Sequence, residues 1–387
     1  MCYPYSYGKG GTSLGGRKTV VIKLGTSSLT EKSGKLAPEK LRALAGQAAD
    51  LHDAGHLVIL VTSAAIAAGY TLLGYPERPS TVSAKQASAA VGQGLLMEEY
   101  TRALGERGIV AAQLLLTRDD FRDRRRYGNA WRALEVLLDR GAIPVINEND
   151  TVSIAEIKLG DNDMLSAQVA AMVHADLLIL ATDTDGLYTA DPRSDSTAEL
   201  IPLVERITPE LESMAGGAGT RNSTGGMSTK LAAAKLATSA GVKVIICASG
   251  RDGIFAGAVQ GKAEGTYFKP QKCMKTRLQW LAFYAPAAGS LFIDEGAAEA
   301  LCNNGRSLLP AGIKCAEGGF KAGDVVEVLL TGGNRHLGRG VVNYDAGELR
   351  EILGLPSTET EKRFPGRRPE AIHRDDWVYD ADEEDSD

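Results

Sequence analysis

The sequence is poor in cysteine and histidine, with five of each among 387 residues. The cysteines are scattered and form no CxxC pair, which excludes a disulfide framework and a zinc knuckle and favours the reducing cytoplasm. No stretch is apolar for long enough to cross a bilayer. Residues 1–17 are rich in glycine, serine and tyrosine and lack the apolar core of a signal peptide, so we predict a disordered extension there.

The sequence also lacks an excess of basic residues. Its 43 lysines and arginines face 49 aspartates and glutamates, a formal net charge of -6. A dedicated nucleic-acid binder is usually basic, so that class is disfavoured. The hydrophobic fraction of 44% and the charged fraction of 24% are ordinary for a soluble globular protein. The chain is therefore able to bury real cores, and its length corresponds to two or three domains.

The familiar nucleotide-binding and metal-binding motifs are missing. There is no GxxxxGK[ST] segment, and no GxGxxG follows a strand, so a standard P-loop and a nicotinamide-binding domain are disfavoured. His52 and His56 have the spacing of metal ligands on a helix, but Gly55 breaks the helix between them, and we predict no metal-ligating set. No Ser/His/Asp or Cys/His arrangement is visible. The candidate functional residues are instead lysines, carboxylates and carboxamides.

The first two-thirds of the chain alternates apolar runs, typical of buried strands, with helical patterns. The predicted strands are 19–24, 57–61, 109–116, 143–146, 177–180 and 242–246, and the predicted helices are 38–52, 83–104, 127–138, 161–173 and 228–239. Such alternation predicts an α/β fold, with an open, mainly parallel sheet sandwiched by helices. Ligands of such a sheet bind at the carboxyl ends of its strands.

The pattern changes near residue 269. Prolines and glycines mark a predicted linker at 270–287, and short β runs separated by glycine-rich turns predict a small β-rich domain at 288–379. The predicted first domain is 18–269. The acidic run at 380–387 is predicted to be a solvated tail.

Two lysines occupy positions suited to binding phosphate. Lys23 lies inside an apolar strand just before Gly25, whereas lysine is rarely buried unless it is paired. The alternative is a strand-edge lysine that reaches water, but the Gly25–Ser28 turn offers N–H and hydroxyl donors beside it. Lys230 ends a Gly/Ser/Thr-rich segment that begins a helix, either a phosphate cradle or a mobile loop with an exposed lysine. We predict that Lys23 and Lys230 flank a transferring phosphoryl group.

Polar clusters follow three other predicted strands. Asn147 to Asp150 and then Gly160 to Asp163 carry amides and carboxylates that would fix an ammonium group or hold Mg²⁺ through water, unless they are only turns and helix caps. Ser63 either caps a helix or lies at a helix start that binds an anion. Thr182 and Asp183 are placed to hold an adenosine ribose or base.

Together these residues resemble the amino acid kinase family, in order and in spacing. The segments that carry the resemblance are VIKLGTSSLT (Val21–Thr30), TSAAIAAG (Thr62–Gly69), VINENDTV (Val145–Val152), IKLGDNDMLSA (Ile157–Ala167), DTDGLYTADPR (Asp183–Arg193) and TGGMSTK (Thr224–Lys230). The C-terminal part resembles a PUA domain. The resemblance runs from about residue 18 to about residue 379, and it implies the amino acid kinase fold followed by a small β-rich PUA-like domain.

The resemblance also implies an activity, namely that ATP and L-glutamate give ADP and γ-glutamyl phosphate, the first step of proline biosynthesis. It implies Mg²⁺ as a cofactor, a homo-oligomer, and inhibition by proline. The residues that carry these roles by resemblance are the catalytic Lys23, Lys230 and Asp163, with Asp163 orienting the two lysines; the glutamate contacts Ser63, Ala64, Asn147, Asp150 and Asn162; and the ATP-binding Lys23, Gly25, Thr182, Asp183, Thr224, Gly225, Gly226, Met227, Ser228, Thr229 and Lys230.

One position departs from the family pattern TSGA, because Ala64 stands where the family has glycine. Alanine keeps the backbone N–H but disfavours a positive φ. Two alternatives to glutamate phosphorylation stay open. One is another amino acid kinase, acting on acetylglutamate, aspartate or a nucleotide. The other is an RNA-binding PUA protein, for which the predicted affinity is weak because residues 285–355 carry 6 basic and 9 acidic side chains.

Overall fold

The computed structural model describes residues 16–31, 33–152, 161–192, 194–216, 226–271, 286–332 and 335–379. Residues 1–15 of the predicted extension, the predicted ATP contacts Thr224 and Gly225, and the acidic tail lie outside these ranges. The chain divides into two compact units, Met1–Asp120 with Gly128–Cys273, and Phe121–Tyr127 with Met274–Asp387. The predicted domain boundaries stay a prediction.

An eight-stranded sheet forms the centre of the first unit, in the order β3-β4-β2-β1-β5-β7-β8-β6. Its strands are β1 (Thr19–Leu24), β2 (Leu57–Val61), β3 (Ala111–Leu116), β4 (Ile143–Glu148), β5 (Leu177–Thr182), β6 (Leu203–Val204), β7 (Lys243–Ala248) and β8 (Thr266–Phe268). In the described chain all neighbouring strands of this sheet are parallel except β7 and β8. The mainly parallel α/β sheet predicted from the sequence is confirmed.

Helices connect most of these strands. They are α1 (Thr26–Leu29), α2 (Pro38–Asp53), α3 (Ala65–Gly69), α4 (Val82–Gly105), α5 (Arg118–Arg122), α6 (Arg124–Asp139), α7 (Asp161–Met172), α8 (Pro209–Gly216), α9 (Met227–Ser239) and α10 (Ile254–Gln260), with a 3₁₀ turn at Tyr70–Leu73. Helix α2 is an example of how the sequence forms these helices. Pro38 begins it, and Leu41, Leu44 and Ala48 form its buried face.

The strand order reverses at β1, which lies between β2 and β5. The polar residues predicted to follow β4 and β5 partly belong to the strands themselves. β4 continues through Asn147 and Glu148 because Leu115 and Leu116 of β3 pair with them, and β5 continues to Thr182, which pairs with Ala248. The carboxyl ends of β1, β2, β4 and β5 therefore lie side by side at a topological switch point, where ligands of such sheets bind.

Some elements differ from the prediction. The segment after Gly25, predicted as a turn, forms the single-turn helix α1. The short strands β6 and β8 and the helices α8 and α10 carry too few residues for a clear periodic pattern, and they were not predicted.

The second unit contains a five-stranded sheet in the order β10-β9-β11-β12-β13. Its strands are β9 (Ala287–Ile293), β10 (Ile313–Gly318), β11 (Val325–Leu330), β12 (His336–Val342) and β13 (Ile372–Tyr379), and its helices are Glu295–Cys302, Ala346–Ile352 and Ser357–Arg363, with a 3₁₀ turn at Pro310–Gly312. It has its own apolar core, which includes Leu291, Val326 and Val328. The predicted β-rich character is confirmed, although the three helices were not predicted.

Taken over the described ranges, the helices of both units include none that is both long enough and apolar enough to cross a membrane.

Candidate active site

Lys23 lies in the central strand of the first sheet, at the carboxyl edge. In β1 it pairs with Val61 of β2 on one side and with Leu180 of β5 on the other. Because β1 is flanked on both sides and covered on both faces, the lysine side chain is buried rather than hydrated, with a side-chain exposure of 7%. A strand-edge lysine that reaches water is thereby excluded, and the ammonium group requires a partner.

Asp163 is that partner, and it binds a second lysine as well. Lys23 Nζ lies 2.6 Å from Asp163 Oδ1, and Lys230 Nζ lies 3.4 Å from Asp163 Oδ2. Thr229 Oγ1 donates a hydrogen bond of 2.9 Å to the same Oδ2. Asp163 is 1% exposed and Lys230 is 9% exposed. The structure thus brings the two lysines, from β1 and α9, onto the two oxygens of one carboxylate at the start of α7.

Lys23, Asp163 and Lys230 form a triad in which burial and neighbouring charges have opposite effects on the pKa values of Lys23 and Asp163. Burial lowers the pKa of Lys23, and the nearby carboxylate of Asp163 only partly offsets that effect. Burial alone would raise the pKa of Asp163, but the charges of Lys23 and Lys230 outweigh it and hold that pKa below its ordinary value. With both lysines protonated, two cations share one anion. The resulting excess positive charge in a poorly solvated place favours an anionic ligand.

Gly25 leaves room beside the Lys23 ammonium. A Cβ at this position would lie 3.3 Å from Lys23 Nζ and 3.7 Å from the carbonyl oxygen of Ala181. Its φ of -72° is ordinary, so the glycine is explained by space and not by backbone strain. A glycine at this position therefore keeps the space beside the ammonium group open.

A cluster of carboxamides lies at the neighbouring strand ends. Asn162 Nδ2 donates to the carbonyl oxygen of Thr62 at 2.8 Å, to Ser63 Oγ at 2.9 Å and to Asn147 Oδ1 at 3.1 Å. These contacts tie the start of α7 to the ends of β2 and β4. The other amide atom, Asn162 Oδ1, is a buried acceptor without a hydrogen-bond partner. An ammonium group supplies the donor that such an oxygen needs.

Ser63 does not cap a helix. The N-cap of α3 is Ala64, and no side chain makes a capping bond there. Ser63 Oγ instead accepts the hydrogen bond from Asn162. Ala64 itself has φ 77° and ψ 10°, a left-handed conformation that costs a residue with a Cβ roughly 1–2 kcal/mol. This conformation explains why glycine is the family residue at this position.

The predicted nucleotide contacts lie on the other side of β1. The carbonyl oxygen of Thr182 accepts a bond of 2.8 Å from the N–H of Ser249, while Thr182 Oγ1 donates to Asp183 Oδ1 at 3.1 Å. The negative charge of Asp183 raises the pKa of Lys23, although burial lowers that pKa more strongly. Gly226 is the N-cap of α9, so Met227 and Ser228 form its first turn, just before the triad lysine.

Two predicted features are less closely connected to the triad. Asp150 lies in the turn after β4, where its charge raises the pKa of Arg78 while burial lowers that pKa more strongly.

His52 and His56 have different hydrogen-bond partners. His52 contacts the carbonyl oxygen of Gly141 at 3.0 Å, and His56 accepts from the N–H of Lys18 at 3.2 Å. Across the described residues, no group of three or more histidine, cysteine, aspartate or glutamate side chains is arranged to hold a metal ion.

Sequence reasoning missed two residues of α4 that contact the site. Gln93 Oε1 accepts a bond of 2.8 Å from Asn147 Nδ2, and Tyr100 OH lies 2.8 Å from Thr62 Oγ1. Both lie within a long predicted helix, whose periodic pattern does not reveal such polar contacts. The available signal was Gly92 beside Gln93, because a glycine inside a helical pattern often has a packing reason.

Comparisons with known proteins identify the family of the chain. The model of the amino acid kinase family matches residues 18–248, and the model of the PUA domain matches residues 289–364. A curated glutamate 5-kinase from Streptococcus pneumoniae (strain Hungary19A-6) is 53% identical over 362 residues, which is 93% of this chain and 96% of that protein. Glutamate 5-kinase from Streptococcus sanguinis (strain SK36) is 52% identical over 364 residues, with the same coverage of both chains. That from Streptococcus suis (strain 05ZYH33) is 51% identical over 362 residues, 93% of this chain and 99% of the relative.

Proposed function

This chain belongs to the amino acid kinase family, and we infer that it transfers the γ-phosphoryl group of ATP to the γ-carboxylate of L-glutamate. The products are ADP and γ-glutamyl phosphate, and the reaction is the first step of proline biosynthesis. Relatives named glutamate 5-kinase match nearly its whole length at about half identity. The observation that carries the mechanism is the triad, in which one buried carboxylate holds two lysines.

The reaction needs neutralisation of charge more than it needs a base. The γ-carboxylate of glutamate is already ionised at neutral pH, so nothing has to deprotonate it. The barrier arises because two anions must approach each other. Phosphoryl transfer is catalysed chiefly by positioning and by electrostatic stabilisation. We therefore assign to Lys23 and Lys230 the task of neutralising the transferring group, and to Asp163 that of holding the two ammonium groups together.

ATP is assigned to the strand ends and helix start beside the triad. Thr182 and Asp183 are proposed to hold the nucleoside part, and Gly25 with the segment 224–230 the phosphates. The space beside Gly25 supports this assignment, since any larger residue would crowd the Lys23 ammonium. Mg²⁺ is usually bound by nucleotide phosphates, water and one or two carboxylates, so the phosphates assigned to this place would be its main ligands. When bound, it supplies further neutralisation of the phosphate charge.

L-glutamate is assigned to the carboxamide side of the site. Asn162 Oδ1 supports this assignment as a buried acceptor that suits the α-ammonium group. The proposed contacts are Ser63, Ala64, Asn147, Asp150 and Asn162. The substrate would thereby present its γ-carboxylate toward the two lysines.

The proposal extends to the setting of the enzyme. We place it in the cytoplasm as a homo-oligomer that proline inhibits, with a kinase domain at 18–269 and a PUA-like domain at 288–379. The scattered cysteines, of which the described Cys247 and Cys315 form no disulfide, support a reducing compartment. Light scattering after gel filtration measures the number of subunits in the oligomer. The rate of the reaction at increasing proline concentration measures the inhibition.

A hydroxylamine trap tests the activity. Hydroxylamine converts an acyl phosphate into a hydroxamate, which gives a coloured complex with ferric iron, so product should appear only with ATP and L-glutamate and should disappear with EDTA. Parallel reactions with aspartate and with acetylglutamate test the nearest alternatives. Turnover of either one above that of glutamate would contradict the proposed substrate, and EDTA-resistant turnover would contradict Mg²⁺.

A further inference from the structure

Three buried carboxamides connect α4 to the proposed glutamate contacts. Gln93 Oε1 accepts from Asn147 Nδ2 at 2.8 Å, and Asn147 Oδ1 accepts from Asn162 Nδ2 at 3.1 Å. Gln93 is 9% exposed and Asn147 is 2% exposed. Little water reaches these groups, so each amide depends on its neighbours for hydrogen bonds.

Backbone groups fix the direction of the Asn147 and Asn162 amides, and Gln93 supplies the acceptor that matches Asn147. The N–H of Glu148 donates to Asn147 Oδ1 at 2.9 Å, so Asn147 has to present its Nδ2 to Gln93. Gln93 then accepts this hydrogen bond with Oε1, and its buried Nε2 is left without a hydrogen-bond partner. At the other end, the carbonyl oxygen of Thr62 accepts from Asn162 Nδ2. That bond turns Asn162 Oδ1 away from the cluster as the unpaired acceptor.

A reversal at any of these amides would exchange a donor for an acceptor. If Asn147 rotated, its Nδ2 would face Asn162 Nδ2, donor against donor, and the Asn162 side chain would lose one of its three acceptors. Gln93 opposes this rotation because its Oε1 holds the Asn147 Nδ2. The contact is made by a helix whose backbone lies directly against α3, since a Cβ at the adjacent Gly92 would lie only 1.8 Å from the carbonyl oxygen of Ala65.

We propose that Gln93 is a positioning residue for the amino-acid substrate, whose Oε1 orients Asn147 so that Asn162 presents Oδ1 to the α-ammonium group. The inference rests on the proposed function, because it takes Asn162 as a contact of glutamate. Gln93 acts through two other side chains and does not itself touch the substrate. It therefore governs the affinity for glutamate and leaves the nucleotide side of β1 unaffected.

Two substitutions separate the roles of the two amide atoms of Gln93. Gln93→Met keeps the length of the side chain but removes the acceptor, and KM for glutamate should rise about tenfold, the usual effect of a lost hydrogen bond near a charged group. KM for ATP should stay within about twofold. Gln93→Glu keeps an oxygen acceptor toward Asn147 and should stay within about threefold of the wild type in KM for glutamate.

Ser88→Ala is the matched control. Ser88 is equally buried in α4, but its hydroxyl donates to the carbonyl oxygen of Ala84 in the same helix, at 2.7 Å. KM for glutamate should not change in this variant. Thermal melting of all four proteins checks that the fold is retained.

Three results would overturn the inference. They are an unchanged KM for glutamate in Gln93→Met, an equal rise of both KM values in that variant, and a correctly folded Gln93→Glu variant as impaired as Gln93→Met, which would show that the acceptor toward Asn147 is not the source of the effect. Failure of the proposed function looks different, because the wild-type protein itself would then form no glutamate-dependent hydroxamate.

Discussion

Among single residues, Asp163 is the one that joins the two lysines of the proposed site. It receives Lys23, Lys230 and Thr229 on two oxygens while almost fully buried. Without it, two ammonium groups would lie close together in a medium that solvates neither well. We therefore expect the carboxylate to stabilise the fold and, in the proposed reaction, to hold together the two ammonium groups that meet the phosphoryl group.

Removal of either lysine should disable the reaction. We expect Lys23→Ala and Lys230→Ala each to lower kcat by roughly 10²-fold or more, the size of effect seen when an electrostatic donor to a transition state is lost. The hydroxamate assay at saturating ATP and glutamate measures it. Lys235→Ala is a suitable control, because Lys235 lies on the same helix, pairs with Glu212 and is 32% exposed. Near wild-type turnover in both active-site variants would remove the proposed roles.

Asp163→Asn should destabilise the chain in a pH-dependent way. Because the two lysines hold the pKa of Asp163 below its ordinary value in the folded chain, the carboxylate stabilises the fold above the unfolded pKa of about 4, and this stabilisation is lost as the pH falls through the lower folded value. The difference in unfolding free energy between wild type and variant should be about 3 kcal/mol or more near neutrality, as for other broken buried pairs, and should shrink below about pH 4.

Urea denaturation from pH 3 to pH 8 measures this difference. A gap that stays constant across the range would show that the charge of Asp163 is not the source of the stabilisation.

Ala64→Gly should stabilise the protein. Ala64 has φ 77°, a conformation that glycine adopts without a steric penalty, although glycine also makes the unfolded chain more flexible. The net gain should be about 0.5–1 kcal/mol in the free energy of unfolding. Ala65→Gly, one residue further and inside α3, should have the opposite sign. A loss of stability in Ala64→Gly would contradict the left-handed conformation.

At the scale of helices and strands, the crossing of α3 and α4 positions the amide side of the site. A Cβ on Gly69 would lie 2.0 Å from the carbonyl oxygen of Ser88, and one on Gly92 would lie 1.8 Å from that of Ala65. The two backbones are therefore in direct contact. Since α3 begins two residues after Ser63, any separation of these helices also moves the end of β2.

Two glycines of α4 form a matched pair that tests this crossing. Gly92→Ala would force the helices apart, and we expect a loss of about 2–3 kcal/mol in stability together with a raised KM for glutamate. Gly94→Ala meets nothing within 4 Å, so it should gain up to about 1 kcal/mol from better helix propensity. Urea denaturation and the hydroxamate assay measure both effects. Equal stabilities for the two variants would refute the backbone contact.

For the whole molecule, the sequence predicted the parallel sheet, its main strands and the β-rich second unit. It did so because β1, β2 and β5 are apolar runs that are buried almost throughout. It could not predict which oxygen of Asp163 each lysine contacts, or that Gln93 reaches Asn147. Those contacts join residues far apart in the chain, and local periodicity contains no information about them. Short elements such as α1 and β6 were missed because they are formed by tertiary contacts rather than by their own pattern.

The central position of β1 has a consequence for synthesis of the chain on the ribosome. Its neighbour β2 emerges soon after it, whereas β5, Asp163 and Lys230 all emerge much later. During this delay one side of β1 is open to pairing with foreign strands, which is a hazard of large parallel sheets. A hydrated charge at Lys23 opposes such pairing until the native partners arrive. We therefore expect the lysine that pairs with Asp163 in the folded chain to slow mispairing of β1 while the rest of the sheet is still being made.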